Sequence, residues 1–510
     1  MPRGRVAVVD LGSNSFRLVV YTVGEGWWKR TDEVYEAVRI GAGLAATGEL
    51  GRKPMARALQ TLEVFDHFCR ATGLPPAEVR AVATSAIRDA RNRDAFLARA
   101  REQVGFAVRV LAMEEEARYG FLAALNSTTL RDGAVLDIGG GSVQIVQVRD
   151  RRAGGTGSWP LGAVRMTERF LADGEPPSRK RLRALRAHVA SELASAPWLA
   201  SAGRRIVGLG GTVRNLAVAA QLEAGLPSIG VQGFALEREA LDALVERLAA
   251  LPAAQRGEVP GIKPSRADLV LAGAVVVQTV LEVGGFDELE VTEAGLREGV
   301  FFEALLGTDP PLLDDVRRES VLNLAAQYGV DPAHTAHVAA LALRMFDELA
   351  AAGVHPGDPT ERELLWAACM LHDVGVAVDY DDHHKHSRYI ILSAGLPGFA
   401  PAEVALVAQA ARFHRKGLPE LGTFARLARP GDGQRLDRLA TLLRLAEDLE
   451  RPRDQSVRAA HVAVHDGAVR LDLEAVGEVG VARWAAERET ELFRRAFGRR
   501  LRVAPAGPPA

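Results

Sequence analysis

Asp10 closes an apolar run, and the residues after it are small and polar: "VVDLGSNSFRLVV", Val8 to Val20. A tight hairpin leaves such a strand through two residues of the Asn-Gly sort. The longer turn of Gly12, Ser13, Asn14 and Ser15 can present backbone N–H groups and hydroxyls to an anion, although a hairpin with a polar tip reads the same. The pattern recurs at Asp137, where "GAVLDIGGGS" runs into Gly139, Gly140, Gly141 and Ser142. Successive glycines after a strand let an anion approach the backbone closely. Three further stretches carry polar chemistry. In "ATSAIRDA", Thr84 and Ser85 are placed to cap a helix with Arg88 one turn in. In "MEEEAR", Glu114, Glu115 and Glu116 open a helix, where its dipole favours carboxylates. In "GLGGT", Gly210, Gly211 and Thr212 form a glycine turn between a strand and a helix. Singly, each is commonplace in α/β proteins.

These residues need elements to hold them. "RVAVVD", "VRAVAT", "FAVRVLA", "GAVLDIG" and "RRIVGLGG" read as strands, most followed by an amphipathic stretch such as "IRDARNRDAFLARAREQV". That alternation argues for α/β layering. Hairpins at residues 6–21 and 134–148, each with an aspartate ending its first strand, suggest two related subdomains facing one another. "RDRRAGGTGSWP" and "DGEPPSRKR" read as surface connections. Near residue 310, at "LLGTDPPLLDD", the character changes to Ala/Leu-rich helices, and ten of the twelve histidines lie beyond residue 330. From about Ser456 a hairpin and then a helix are expected, with a disordered "RVAPAGPPA" end.

At 510 residues the chain is too long for a single core. A formal charge of -2, from 63 basic and 65 acidic residues, gives no global field to recruit nucleic acid, so a polyanion must meet a local basic patch. Cys69 and Cys369 offer no disulfide framework and suit a reducing compartment. The N-terminus lacks a signal-like apolar region, and no apolar run approaches membrane-spanning length. A cytoplasmic protein with neither nucleic-acid nor membrane partner is expected.

Together and in this order, "DLGSNSFRLVV", "ATSAIRDA", "EEEAR", "DIGGGS", "GLGGT" and "TEAGLREGVFFE" resemble the exopolyphosphatase / guanosine pentaphosphate phosphatase (Ppx/GppA) family, a branch of the actin-like ATPase superfamily. The resemblance continues through "MLHDVGV", "HHKHSRYIILSAGLPGF" and "ARFHRKGLPEL". It implies an α/β fold of two actin-like (ribonuclease H-like) lobes, 1–125 and 126–308. An all-α HD-type domain, 309–455, and a small α+β C-terminal domain, 456–510, would follow.

The same resemblance implies a phosphate chain bound between the lobes. Ser13, Asn14 and Ser15 would donate to it from one side, and Gly140, Gly141 and Ser142 from the other. Thr84 and the turn of Gly210, Gly211 and Thr212 would complete the phosphate site. Arg88 would add a guanidinium fork, which matches phosphate oxygens. Asp10 and Asp137 would hold Mg²⁺ or Mn²⁺. Glu116, by its place in the motif, would orient the attacking water, with Asp137 and Arg88 sharing the catalytic role. One departure stands out: Gln144 occupies a position where the family commonly has a second acid.

His372-Asp373 resembles the doublet of the HD metal-dependent phosphohydrolases. His337 is the expected upstream ligand, with His334 one turn earlier, and Glu447 is the downstream carboxylate where aspartate is usual, with Asp448 adjacent. His386 and His414 would extend the site toward a second metal. Imidazole and carboxylate together suit several transition metals, while "HHKHS", "RFHRKG" and "RNRDAFLARARE" could equally serve as basic patches along a polyanion's path.

The implied function is an exopolyphosphatase that removes terminal phosphate from inorganic polyphosphate with a divalent cation. The alternatives are conversion of guanosine pentaphosphate to tetraphosphate, and a polyphosphate- or alarmone-binding protein whose hydrolysis is weak because of Gln144. A homodimer is the expected assembly.

Overall fold

The computed structural model describes residues 4–504, so the last six residues of the expected disordered tail lie outside the described residues. The chain divides into two compact units, the first ending at Val316 and the second beginning at Arg317.

The first unit holds two sheets. One is built from β1 (Gly4–Leu11), β2 (Phe16–Gly24), β3 (Trp27–Glu36), β4 (Val79–Ala83) and β5 (Val108–Val110), in the order β3-β2-β1-β4-β5. The other is built from β6 (Gly133–Ile138), β7 (Val143–Arg149), β8 (Arg152–Trp159), β9 (Ile206–Leu209), β10 (Phe234–Glu237) and β11 (Glu288–Val291), in the order β10-β11-β9-β6-β7-β8. In both, an antiparallel three-strand meander continues into parallel strands, the arrangement of two actin-like lobes. The two halves repeat down to register. Asp10 pairs with Arg17 across its hairpin and with Val82 on the parallel side. Asp137 pairs in the same way with Gln144 and with Leu209.

Strand alternation shares the central strands between cores. Ala7, Val9 and Leu11 face the core of the first lobe, and Ala134, Leu136 and Ile138 that of the second. Val8 and Val135 point instead into a common layer filled by helices Met113–Leu125 and Leu296–Leu306. These helices cross closely: a Cβ on Gly299 would lie 2.1 Å from the carbonyl oxygen of Tyr119. The helix bearing Glu116 is thereby clamped between the sheets.

One expectation fails here. The composition of "RDRRAGGTGSWP" predicts a surface connection, yet Arg152–Trp159 is strand β8, paired along β7. Its glycines hid it, because glycine is depleted in strands. Two of them make room for indoles: a Cβ would come within 2.8 Å of the Trp198 ring at Gly155, and within 2.1 Å of the Trp159 ring at Gly157. Gly155→Val should therefore destabilise the unit by about 1–3 kcal/mol, the usual range for overpacking, read as a lower urea midpoint. An unchanged midpoint would show that Trp198 moves aside freely.

In the second unit, helices Pro332–Ala351, Pro359–Leu371, His383–Ala394, Pro401–Phe413 and Asp432–Leu449 surround one core. Two begin with the same local signal. Asp331 accepts from the N–H of Ala333 at 2.9 Å, Asp358 from that of Thr360 at 2.8 Å, and a proline follows each aspartate at the first helical position. Then come β12 (Val457–His465), β13 (Ala468–Ala475), helices Gly480–Glu487 and Thr490–Phe497, and β14 (Arg500–Val503), forming a three-stranded sheet in sequence order. Val457, Leu471 and Phe493 from this segment share the core of the helices.

Candidate active site

The two aspartate hairpins end in matching turns. The N–H of Gly12 donates to the carbonyl of Ser15 at 3.2 Å, and that of Gly139 to the carbonyl of Ser142 at 3.0 Å. The turns meet across the lobes. A Cβ on Gly140 would lie 3.2 Å from the Ser13 Cβ, and one on Gly141 would lie 2.5 Å from the Ser85 hydroxyl oxygen. Ser13 and Ser85 are themselves bonded through their hydroxyls at 3.0 Å. Thr84 takes the N-cap position of its short helix without a side-chain capping bond.

The cleft between the turns is lined by Asp10, Ser13, Asn14, Ser15, Thr84, Glu116, Asp137, Gly140, Ser142, Gly210 and Gly211. Gly141 sits behind it against the serines. Thr212 is buried and faces Gly273 instead. Gly210 is required for its backbone: φ is 101°, and a Cβ would come within 2.4 Å of the Ile138 carbonyl oxygen.

Of the three consecutive glutamates only Glu116 is buried. Glu115 turns back to accept from the Ala112 N–H at 2.9 Å, satisfying the helix start. Arg88 does not line the cleft. Its Nη1 donates to Glu116 Oε2 at 2.7 Å and to the Leu111 carbonyl at 3.2 Å, so it reaches the site through Glu116 rather than by facing a phosphate. Ser142 Oγ lies 3.5 Å from the other Glu116 oxygen, and Gln144 Nε2 donates to Ser142 Oγ at 2.9 Å and to Ser158 Oγ at 3.3 Å.

Four arginines absent from the sequence-based site also line the cleft: Arg17, Arg214, Arg266 and Arg297. Arg17 is legible in retrospect from the hairpin register opposite Asp10. Arg297 approaches Asp10 at 3.8 Å. Arg266 lies over the helix start, its guanidinium carbon 2.4 Å from where a Cβ of Gly211 would be. Burial is the main influence on the acids. It raises Asp10 despite Arg297 and Arg17, raises Glu116 despite Arg88, and with Glu116 nearby pushes Asp137 up to about 7. Burial also lowers Arg214 to about 10, with Arg297 adding repulsion. Three crowded acids favour a cation and four crowded arginines favour a polyanion, so the donor set fits a metal-phosphate ligand.

The sequence model of the Ppx/GppA phosphatase family matches residues 19–308, and that of Ppx/GppA phosphatase domain III matches 316–487. The chain belongs to the Ppx/GppA phosphatase family.

A solved Ppx/GppA family member from Aquifex aeolicus is 30% identical with a TM-score of 0.51, the match spanning 60% of this chain and 99% of that one. A solved exopolyphosphatase from Cytophaga hutchinsonii ATCC 33406 shares the fold at 24% identity and a TM-score of 0.56, with the same coverage. Ppx/GppA phosphatases act on phosphoanhydrides with divalent cations, and the cleft carboxylates of this one suit such a cation.

The second unit of this Ppx/GppA phosphatase gathers a different set. His334, His372 and Asp373 converge, as do Asp373, His383 and His414, all buried. Glu447 Oε2 lies 3.1 Å from His334 Nε2 and 3.2 Å from His372 Nε2. Two expected ligands stand aside. His337 Nε2 reaches the Val457 carbonyl at 2.8 Å and Glu450 at 3.5 Å, and it is His334 that faces His372 and Asp373. His386 packs its Cβ beside Gly375, and His383, one turn earlier, takes the inward position. Against the pull of burial, Asp373 and Glu447 raise His372 to about 9. No helix among the described residues is long and apolar enough to cross a membrane, and both cysteines are free and buried.

Proposed function

We propose that this Ppx/GppA phosphatase is an exopolyphosphatase, releasing orthophosphate from the ends of inorganic polyphosphate in the cytoplasm. The observation that carries the reading is the lining of the cleft: three acids, Asp10, Asp137 and the buried Glu116, together with four arginines. The acids match one reacting, metal-bound phosphoryl group, and the arginines match a chain of further phosphates. Asp10 and Asp137 would hold Mg²⁺ or Mn²⁺, which polarises the phosphoryl oxygens when bound. Glu116, oriented by Arg88, accepts the proton of the attacking water. The turn N–H groups and hydroxyls of Ser13, Asn14, Ser15 and Ser142 position the terminal phosphate. The helical unit would hold a transition metal on His372 and Asp373. The test is phosphate release from long polyphosphate and from guanosine pentaphosphate in parallel, with Mg²⁺ or Mn²⁺. Faster turnover of long polyphosphate is expected, and preference for the nucleotide would assign the cleft to that substrate.

Gln144 favours a second reading, in which the cleft binds its polyanion and hydrolyses it slowly. Facing Asp137 across the hairpin, Gln144 is an amide donor where a carboxylate would be a metal ligand and proton acceptor. Gln144→Glu should raise phosphate release and lower the half-saturating Mg²⁺ concentration roughly 10-fold. No change in the Mg²⁺ titration would mean that Asp10 and Asp137 suffice.

A further inference from the structure

Glu116 is held at both of its carboxylate oxygens, and only one hold comes directly from the second lobe. Ser142, on that lobe's glycine turn, faces Oε1 at 3.5 Å, while Arg88 Nη1 donates to Oε2 at 2.7 Å. Arg88 has an acid behind it. Asp89 Oδ1 lies 3.5 Å from Arg88 Nε, and Asp89 Oδ2 accepts from Arg165 Nη2 at 2.9 Å. Arg165 belongs to the second lobe, on the helix Ala163–Phe170. Glu116, Arg88, Asp89 and Arg165 therefore form a chain of alternating charge that crosses the boundary between the lobes. Its far end is anchored on the phosphate turn. The N–H of Val164 donates to the Gly140 carbonyl at 2.8 Å, and that of Arg165 to the same oxygen at 3.3 Å. Gly162 packs so tightly beneath them that a Cβ would lie 2.4 Å from the Gly140 carbonyl carbon. Ser142 and Arg165 are thus fixed to one turn, and their two routes onto Glu116 close a ring. The near end is equally set: the Asp89 N–H donates to the Ser85 carbonyl at 2.9 Å, so Asp89 caps the short helix that carries Arg88.

We propose that Asp89 and Arg165 are positioning residues for phosphate release: the ion pair between them holds the Arg88 guanidinium on Glu116, so that Glu116 is fully placed only where the two lobes meet. The inference rests on the reading of Glu116 as the group that accepts the water proton, and it adds the residues that place it. Neither Asp89 nor Arg165 lines the cleft, so neither acts by meeting the substrate. The pair is not there for strength either. The Arg165 and Asp89 side chains are 29% and 39% exposed, and exposed pairs add little stability. What the pair does follows from Asp89 having two cations to share. With Arg165 in place, one oxygen of Asp89 is engaged across the boundary and the other steadies Arg88 from behind. Without Arg165, the carboxylate has Arg88 alone to face and competes with Glu116 for its guanidinium. A second bridge between the lobes supplies a control. Arg39 Nη1 donates to Asp268 Oδ2 at 3.2 Å, a pair more exposed still, and one that does not involve Arg88.

The test is steady-state phosphate release from polyphosphate by the full chain with Mg²⁺, alongside urea unfolding. Arg165→Met and Asp89→Asn should each lower kcat roughly 10-fold, the low end for groups that orient a site residue, with KM near its wild-type value. Combined, they should cost about the same 10-fold and not about 100-fold, because each acts through the other. Arg165→Lys should regain part of the rate, and Arg39→Met should keep the wild-type kcat. Arg165→Met added to Glu116→Gln should remove nothing more. Additive losses, an unmoved kcat in Arg165→Met, a KM increase that carries the whole effect, or an equal loss in Arg39→Met would each overturn the relay. A lowered urea midpoint, with a kcat loss that Arg165→Lys does not mend, would reduce the pair to a structural latch. Near wild-type release by Glu116→Gln, or none by wild type, defeats the reading of Glu116 instead. The relay is then read without turnover, from the Arg88 Nε–H resonance, identified by its loss in Arg88→Lys. That resonance should shift in Arg165→Met and stay in place in Arg39→Met. If it does not move in Arg165→Met, the relay is wrong whatever the activity.

Discussion

Glu116→Gln leaves polyphosphate bound and slows phosphate release by roughly a hundred- to ten-thousand-fold, the usual contribution of a general base. The substitution keeps the side chain's shape, and Arg88 Nη1, now 2.7 Å from one carboxylate oxygen, retains an amide oxygen to donate to. What is lost is proton acceptance. Glu116 suits that task because burial lifts it from the ordinary carboxylate range while Arg88 keeps it from rising freely. The variant is measured by phosphate release under saturating polyphosphate and by equilibrium binding of the polymer. Release at near wild-type rate would show that another group takes the proton, with Asp137, raised to about 7, next in line.

Arg88→Ala lowers kcat far more than it raises KM. This reverses the expectation of a phosphate clamp, for which KM would carry the effect. The guanidinium is engaged with Glu116 and the Leu111 carbonyl and does not line the cleft. Removing it deletes the charge that favours ionised Glu116, so burial acts unopposed and the carboxyl rises further. A base with a raised pKa is ionised only at higher pH, so the rising limb of kcat against pH moves upward. Breaking a largely buried ion pair of this kind also destabilises the fold by about 3–5 kcal/mol, which urea unfolding reads separately. Arg88→Lys should restore part of the rate through charge alone. A KM increase with an unmoved kcat profile would return Arg88 to the role of substrate clamp.

Local signals carried much of the architecture. Asp10 and Asp137 end strands whose alternation and turn residues are contiguous in the chain, so both hairpins and their pseudo-symmetric placement could be read directly. The Asp331-Pro332 and Asp358-Pro359 helix starts are equally local. Where a helix face had to be chosen, the sequence was silent. His334 and His337, like His383 and His386, are three residues apart and therefore neighbours on a helix surface. Which one points inward depends on how the helix is rotated against its partners. For the first pair that was settled by β12, whose Val457 carbonyl takes His337. For the second it was settled by Gly375, where a Cβ would stand 2.1 Å from the His383 carbonyl oxygen and which thereby seats the helix against the turn after Asp373. The arginine wall followed the same logic. Arg214, Arg266 and Arg297 come from separate segments and share a cleft only through the packing of the second sheet and its helices. Arg88 sat in the right motif, but its partner is Glu116, 28 residues on. Sequence determined which chemistries were present, because residue type and short-range turn geometry are written locally. Tertiary structure decided which side chains meet, because long-range contacts set the rotation of each helix and the distance between its functional groups and the next.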